Sequence, residues 1–333
     1  MMIIAEIGQA HEGSLGMAMS YIDALAEAGV DTVKFQVHVA EAESSVHEPF
    51  RIKFSDQDKS RFDYWKRMEF SLSQWIMIKD RCEKRGVEFL ASPFSNAAVD
   101  LLEEIGVRRY KIGSGEVNNL LLLEKISRTG KPVIISSGLS SFSELDRTVG
   151  FLKKKKVELS ILQCTTSYPT RPESYGLNVI KELKERYQVQ VGFSDHSARI
   201  ETCIAAFALG AEILEFHAVF SRKSFGPDAT SSLEIEEIKD LVSSIKKLGI
   251  AFHNPVNKTD NSDFNSLKDI FEKSLAVNKK LEKGHIIQFD DLETKKPKSY
   301  GINAADYQKV LGRKVLKSLE KWDFLNWNDL QDE

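Results

Sequence analysis

The chain alternates between two hydrophobic periods. Short runs rich in β-branched and other apolar residues occupy positions 2–7, 32–37, 88–92, 109–112, 133–137, 159–164, 190–194 and 213–216. Each is followed by a longer segment with apolar residues at helical spacing: 16–28, 73–85, 96–105, 120–129, 142–153, 176–186, 200–209 and 236–248. In the seventh of these, Ile200, Ile204, Phe207 and Ala208 fall on one face. Several stop at a glycine, as at Gly29, Gly86, Gly106, Gly130 and Gly210, the residue that most readily ends a helix. Eight strand-then-helix units within about 250 residues predict an α/β chain folded as a (β/α)8 TIM barrel rather than an open doubly wound sheet.

Two stretches depart from this rhythm. Residues 38–72 form a polar and aromatic excursion too long for a simple connector, which predicts a lid or small helices of its own. Past residue 255 an Asn/Asp/Ser-rich linker, 256–273, precedes an internal echo: LEKGHIIQFDDL at 281–292 and LEKWDFLNWNDL at 319–330, an offset of 38. Two such units make a small pseudo-symmetric module of short strands and turns over 274–333, after a barrel spanning 1–255.

Composition narrows the function classes. Apolar residues make up 42% and charged residues 29%, ordinary for a soluble globular chain. A net charge of −3, from 46 basic and 49 acidic residues, supplies no general drive toward nucleic acid or an anionic membrane. Any anion must therefore be caught locally. Three cysteines, Cys82, Cys164 and Cys203, follow no metal spacing, and with no signal segment or membrane span a reducing cytoplasm is expected.

In such a barrel the active site is built at the carboxyl ends of the strands. Those ends are polar throughout: Glu6; Lys34 and Gln36; Ser92; Lys111 to Glu116; Ser136 to Gly138; Gln163 to Tyr168; Ser194 to His196; Glu215 and His217. Ionisable groups inside an apolar ring need partners or a ligand. A lone histidine there is ordinarily a hydrogen-bonded core residue. His196 and His217 come from neighbouring strands seven and eight, so as a pair they read as ligands for a divalent metal acting as a Lewis acid. Lys34 and Lys111 can anchor an anion, or one can form a Schiff base. The turns GSGE (113–116) and SSGLS (136–140) offer hydroxyls and open backbone N–H groups, a cradle for phosphate, and favour the first. Cys164 reads as a packed strand residue, since no base can be assigned to it.

The ordered set IIAEIG, HEG, VKFQ, SPF, YKIGSGE, CTTSYP, GFSDHS, LEFH and GPD resembles the sialic acid synthase family, and the tail resembles that family's antifreeze-like (SAF) domain. The resemblance implies condensation of phosphoenolpyruvate with an N-acetylmannosamine-type acetamido sugar, a manganese-type ion on His196 and His217, and a domain-swapped homodimer. It implies Lys34, Lys111, Ser114, Ser136 and Ser194 for phosphoenolpyruvate, Gln36, Tyr168 and Asp228 for the sugar, and catalytic parts for Glu6 and Glu116. Where relatives carry Asn-His, His-Cys-Thr and Lys-Arg-Pro, this chain has Ala10-His11, Gln163-Cys164-Thr165 and Lys295-Lys296-Pro297. Lys296 replaces an arginine that reaches the sugar's acyl group, so a 2,4-diacetamido hexose stays open beside N-acetylmannosamine and its 6-phosphate. Two rivals stand: a Schiff-base aldolase using Lys111 or Lys34, and a non-catalytic glycan-binding barrel.

Overall fold

The computed structural model describes residues 1–331. The barrel strands are β1 Met2–Gly8, β2 Thr32–Val37, β3 Glu88–Pro93, β4 Tyr110–Ile112, β5 Val133–Ser136, β6 Leu159–Cys164, β7 Gln190–Asp195 and β8 Ile213–Val219. Each pairs in parallel with the next, and β8 closes on β1 with Met2 opposite Ile213 and Glu6 opposite His217. Closure leaves no free edge, so the (β/α)8 barrel expected from the periodicity is present. A two-residue strand, β9 (Leu233–Glu234), pairs with the far end of β8.

The helices, in chain order, are α1 Leu15–Ala28, α2 Ala40–Glu43, α3 Arg61–Met68, α4 Leu72–Arg85, α5 Asn96–Ile105, α6 Leu120–Ser127, α7 Phe142–Lys154, α8 Val179–Tyr187, α9 Ile200–Ala208, α10 Ile235–His253, α11 Asn265–Phe271 and α12 Tyr307–Val310. Serine side chains cap α1, α4, α5 and α7 by accepting from a first-turn amide. None among the described residues is long and apolar enough to cross a membrane.

Two apolar layers hold the barrel, and strand alternation assigns residues to them. The outer layer packs Ile3, Ala5, Val33, Phe35 and Phe89 against helix residues such as Ile22, Leu25, Trp75 and Ile78. The inner floor is Ile4, Leu90, Ile134, Leu162 and Ile213. Gly192 completes it, because a Cβ there would lie 2.3 Å from the Ile213 carbonyl oxygen. Two residues further along the same strands come Glu6, Ser92, Ser136, Cys164 and Glu215, so a single period-two count carries the interior from apolar floor to polar mouth. Immediately after Glu6 the β1–β2 register slips, Glu6 facing Lys34 and Gly8 facing Phe35. Bulges of this kind commonly re-aim a strand beside an active site.

The 38–72 excursion is a folded element. Its helices α2 and α3 enclose Ala40, Tyr64, Trp65 and Met68, with Phe50, Phe54 and Phe62 packed on them. Arg67 braces it internally through Asp58 at 2.8 Å and ties it to the β1–α1 turn through Glu12 at 2.8 Å.

Backbone contacts divide the chain after His253. The second unit, from Asn254 onward, includes α11 within the stretch expected as linker, and the antiparallel pair β10 (Ser274–Val277) and β11 (Leu292–Lys295). The 38-residue echo is a structural pseudo-twofold. Leu281 and Leu319 exchange backbone hydrogen bonds at 2.9 and 2.8 Å; Gly284 N–H donates to Val315 as Trp322 N–H donates to Val277, each at 2.7 Å. Lys279–Asp291 at 2.6 Å repeats as Lys317–Asp329 at 2.7 Å. Around this axis Leu275, Val277, Ile287, Val315, Leu325 and Leu330 form a core of their own.

Candidate active site

At the carboxyl ends of the strands lies a cavity of about 230 Å³, lined by Glu6, Lys34, Gln36, Lys111, Ser114, Ser136, Tyr168, Ser194, Glu215, His196, His217 and Asp228 among others. Its floor is a closed set of ion pairs. Lys34 Nζ lies 2.9 Å from Glu6 Oε2 and 3.5 Å from Glu215 Oε1. Lys111 Nζ lies 3.1 Å from Glu215 Oε1 and donates to Ser136 Oγ at 2.7 Å. Ser194 Oγ donates to Glu215 Oε1 at 2.9 Å, and Gln36 Nε2 to Glu6 Oε1 at 2.7 Å.

Two cations and two carboxylates, all buried, balance one another. Burial alone would raise the Glu6 carboxyl, but His217, Lys34 and Lys111 outweigh it and hold Glu6 far below the usual carboxylate range. Glu215 is likewise held down against burial, by Lys111 and Lys34. Lys34 is held up against burial by Glu215 and Glu6, whereas burial lowers Lys111, with only partial compensation from Glu215 and with Lys34 opposing. Buried pairs of this kind are a poor source of net stability, so they mark a site built for a ligand.

Four buried polar atoms, Glu215 Oε2, Ser92 Oγ, Thr166 Oγ1 and Tyr64 Oη, have no hydrogen-bond partner among the described residues, and all four residues line the cavity. Orphans of this sort call for a polar ligand or water. Beside them the strand-four and strand-five turns meet, Gly138 N–H donating to Ser114 Oγ at 3.1 Å. A Cβ on Gly138 would fall 2.5 Å from Thr166 Oγ1, 2.8 Å from Ser114 Oγ and 2.9 Å from Cys164 Sγ, so only glycine leaves this cradle open.

His196 and His217 come together as the strand order requires, their ring centroids 5.3 Å apart. His196 follows the last residue of β7. His217, expected just past an apolar run, is inside β8, which continues to Val219 because β9 pairs with its end. His217 Nε2 is 3.3 Å from Glu6 Oε2 and its Nδ1 is 4.0 Å from Asp228 Oδ2. Burial lowers His217; in His196 burial is outweighed by Cys164, the Thr165 carbonyl and Glu6, which push it up to about 9. Two imidazoles and two carboxylates facing one cavity fit a divalent ion by donor type. Among the described residues no three His, Cys, Asp or Glu groups are already gathered around a point, the carboxylates being engaged with their neighbours.

Not every expected residue joins this set. Glu116 ends a short turn, accepts from Asn119 Nδ2 at 2.7 Å, and does not line the cavity; burial raises its carboxyl. Lys296 belongs to the second unit, its ammonium 5.1 Å from the Phe271 ring centroid. Conversely, Cys164 is no mere packing residue. Its Sγ faces the cavity 3.8 Å from His196 Nδ1 and 3.8 Å from Ser114 Oγ, an orientation that alternation from Leu162 would have disclosed. Arg51 of the excursion reaches Asp228 at 2.6 Å, a pairing no local pattern announces.

Residues 21–256, most of the barrel, match the NeuB family. The chain belongs to that family. Residues 272–331 match the SAF domain. The N,N'-diacetyllegionaminic acid synthase of Campylobacter jejuni is 33% identical over 96% of this chain and 97% of its own length. The human N-acetylneuraminate-9-phosphate synthase is 33% identical over 96% of this chain and 90% of its own. The crystal structure of N-acetylneuraminic acid synthetase from Leptospira borgpetersenii, in complex with citrate, superposes with a TM-score of 0.70 at 33% identity, over 80% of this chain and 89% of that one. As a NeuB-family chain carrying a buried polar site, the protein is an enzyme of the sialic acid-type synthases.

Proposed function

We propose that this NeuB-family enzyme is a nonulosonic acid synthase, condensing phosphoenolpyruvate with an acetamido hexose and releasing phosphate. The observation that carries the reading is the Lys34–Lys111 pair: two buried cations whose present counterions are protein carboxylates, in one cavity with the Ser114 and Ser136 hydroxyls. Lys34 and Lys111 would take the carboxylate and phosphate of the enol ester, with Ser114, Ser136 and Ser194 donating to their oxygens. Gln36, Tyr168 and Asp228, which line the same cavity, would hold the open-chain sugar. The enol carbon then adds to the sugar aldehyde, forming the C–C bond; water adds to the adjacent cationic carbon, and loss of phosphate leaves a 2-keto acid.

His196 and His217, with Glu6 and Asp228 beside His217, would hold a divalent cation of the manganese type, which when bound supplies Lewis-acid polarisation. Glu6, ionised in the resting site, keeps Lys34 charged and accepts from Gln36. Glu116, turned to Asn119, has no part in this arrangement, and Lys296 remains a candidate sugar contact through the homodimer that the resemblance implies. Sedimentation at working concentration checks the dimer; a monomer there would remove Lys296 from the scheme. Phosphate release with phosphoenolpyruvate against a panel of acetamido hexoses tests the reaction itself. One observation favours the aldolase rival, the lowered Lys111 ammonium, and borohydride trapping of pyruvate on Lys111 would select it.

A further inference from the structure

We propose that Arg51 is a positioning residue for the histidine pair, acting through Tyr168 on His196 and through Asp228 on His217; this rests on reading that pair as the metal site. The guanidinium centre of Arg51 is 4.2 Å from the Tyr168 ring centroid, and the Tyr168 ring is 4.2 Å from that of His196. The same guanidinium donates from Nη2 to Asp228 Oδ1 at 2.6 Å and to the Pro227 carbonyl at 3.0 Å. The other Asp228 oxygen, Oδ2, faces His217 Nδ1 at 4.0 Å. One side chain thus reaches both imidazoles, each through a single intermediary.

The arm is mounted on a firm base. The excursion has its own apolar cluster, a Trp65 indole donating to Glu48 at 2.9 Å, and the Arg67 anchors. Tyr168 lies between Thr165 and Thr170, whose carbonyl and amide bond His196 at 3.0 Å each, so movement of that turn moves the imidazole. The two tasks need different chemistry. Pairing with Asp228 needs only a positive charge, while lying over the Tyr168 ring uses the flat, weakly hydrated guanidinium that lysine lacks.

Two variants of the full chain, Arg51→Ala and Arg51→Lys, separate these tasks by hydrogen exchange on the metal-free protein and by Mn2+ affinity. In Arg51→Ala, exchange should rise several-fold at 165–170 and at 226–232 with the other barrel strands unchanged, and Mn2+ should bind about 10-fold more weakly, as when the supporting partner of a metal ligand is lost. Arg51→Lys should restore protection at 226–232 and leave 165–170 loosened. Unchanged exchange at both stretches in Arg51→Ala, or Mn2+ bound as tightly as by the parent, would overturn the proposal. If the parent itself binds no Mn2+, the metal reading fails, and the exchange data alone then decide whether Arg51 positions these turns.

Discussion

Gly138 has no room for a side chain: an added Cβ meets Thr166, Ser114 and Cys164 all within 3 Å. Gly138→Ala is therefore expected to fold, since its neighbours there are movable side-chain tips, yet to raise the KM for phosphoenolpyruvate by about 10-fold or more, read from initial rates; a parental KM would show that the cradle is not the phosphate site. Glu215 carries the opposite risk. Replacing it with Gln takes from buried Lys111 the carboxylate it pairs with at 3.1 Å, which should cost roughly 3 kcal/mol in urea unfolding. Inorganic phosphate should recover part of that loss by supplying the missing negative charge. Much of this layer was legible residue by residue. Strand alternation alone orders Glu6, Lys34, Lys111, Ser136 and Glu215 inward, and it orders Cys164 inward with them. Arg51 was illegible, because its partner Asp228 is 177 positions away and neither residue belongs to a periodic element.

Among the elements, strand cores followed from hydrophobic runs while their ends depended on neighbours in space. β8 runs past His217 only because β9, from a remote turn, pairs with it. The excursion was flagged by its length, but its helices owe their existence to the contacts of Tyr64, Trp65 and Met68 with Phe50, Phe54 and Phe62, which polar sequence surroundings conceal. The echo in the second unit was more informative, since its offset survives in the hydrogen bonds between Leu281 and Leu319 and in those from Gly284 to Val315 and from Trp322 to Val277. Gly284 and Trp322 are equivalent there, both left-handed at φ +93 and +76, and nothing lies near a Cβ at Gly284. Gly284→Ala should therefore cost about 1 kcal/mol through the backbone alone.

Asp291 gives the second unit a pH signature. Its carboxyl is held at about 2: the Lys279 ammonium, the Gln288 amide and His285 outweigh burial. A depressed folded value means stabilisation that is complete above the unfolded value near 3.8 and is lost as pH falls through 3.8 toward 2. The amount is about 2 kcal/mol. Hydrogen exchange across 274–331 in the full chain should rise over this window, and Asp291→Asn should remove the rise. Equal pH dependence in both proteins would assign the effect elsewhere.

For the whole molecule, the barrel could be counted from eight units, and the identity of its site followed from what the strand ends carry. The choice of sugar is not written in that count, since relatives at the same 33% identity are named for different nonulosonic acids and the cavity is lined also by Phe50, Arg51 and Phe54 of the excursion. Thorough chelation should abolish turnover and Mn2+ should restore it; activity surviving chelation would contradict the role given to His196 and His217. The central claim, that two buried lysines hold phosphoenolpyruvate for condensation, is tested most directly by phosphate release from the parent enzyme and from Lys111→Met. The expected result is one phosphate per 2-keto acid formed, only when phosphoenolpyruvate and an acetamido hexose are both present, with a loss of about 100-fold or more in the variant. Phosphate release unaffected by Lys111→Met, or 2-keto acid formed from pyruvate without any phosphate, would contradict it.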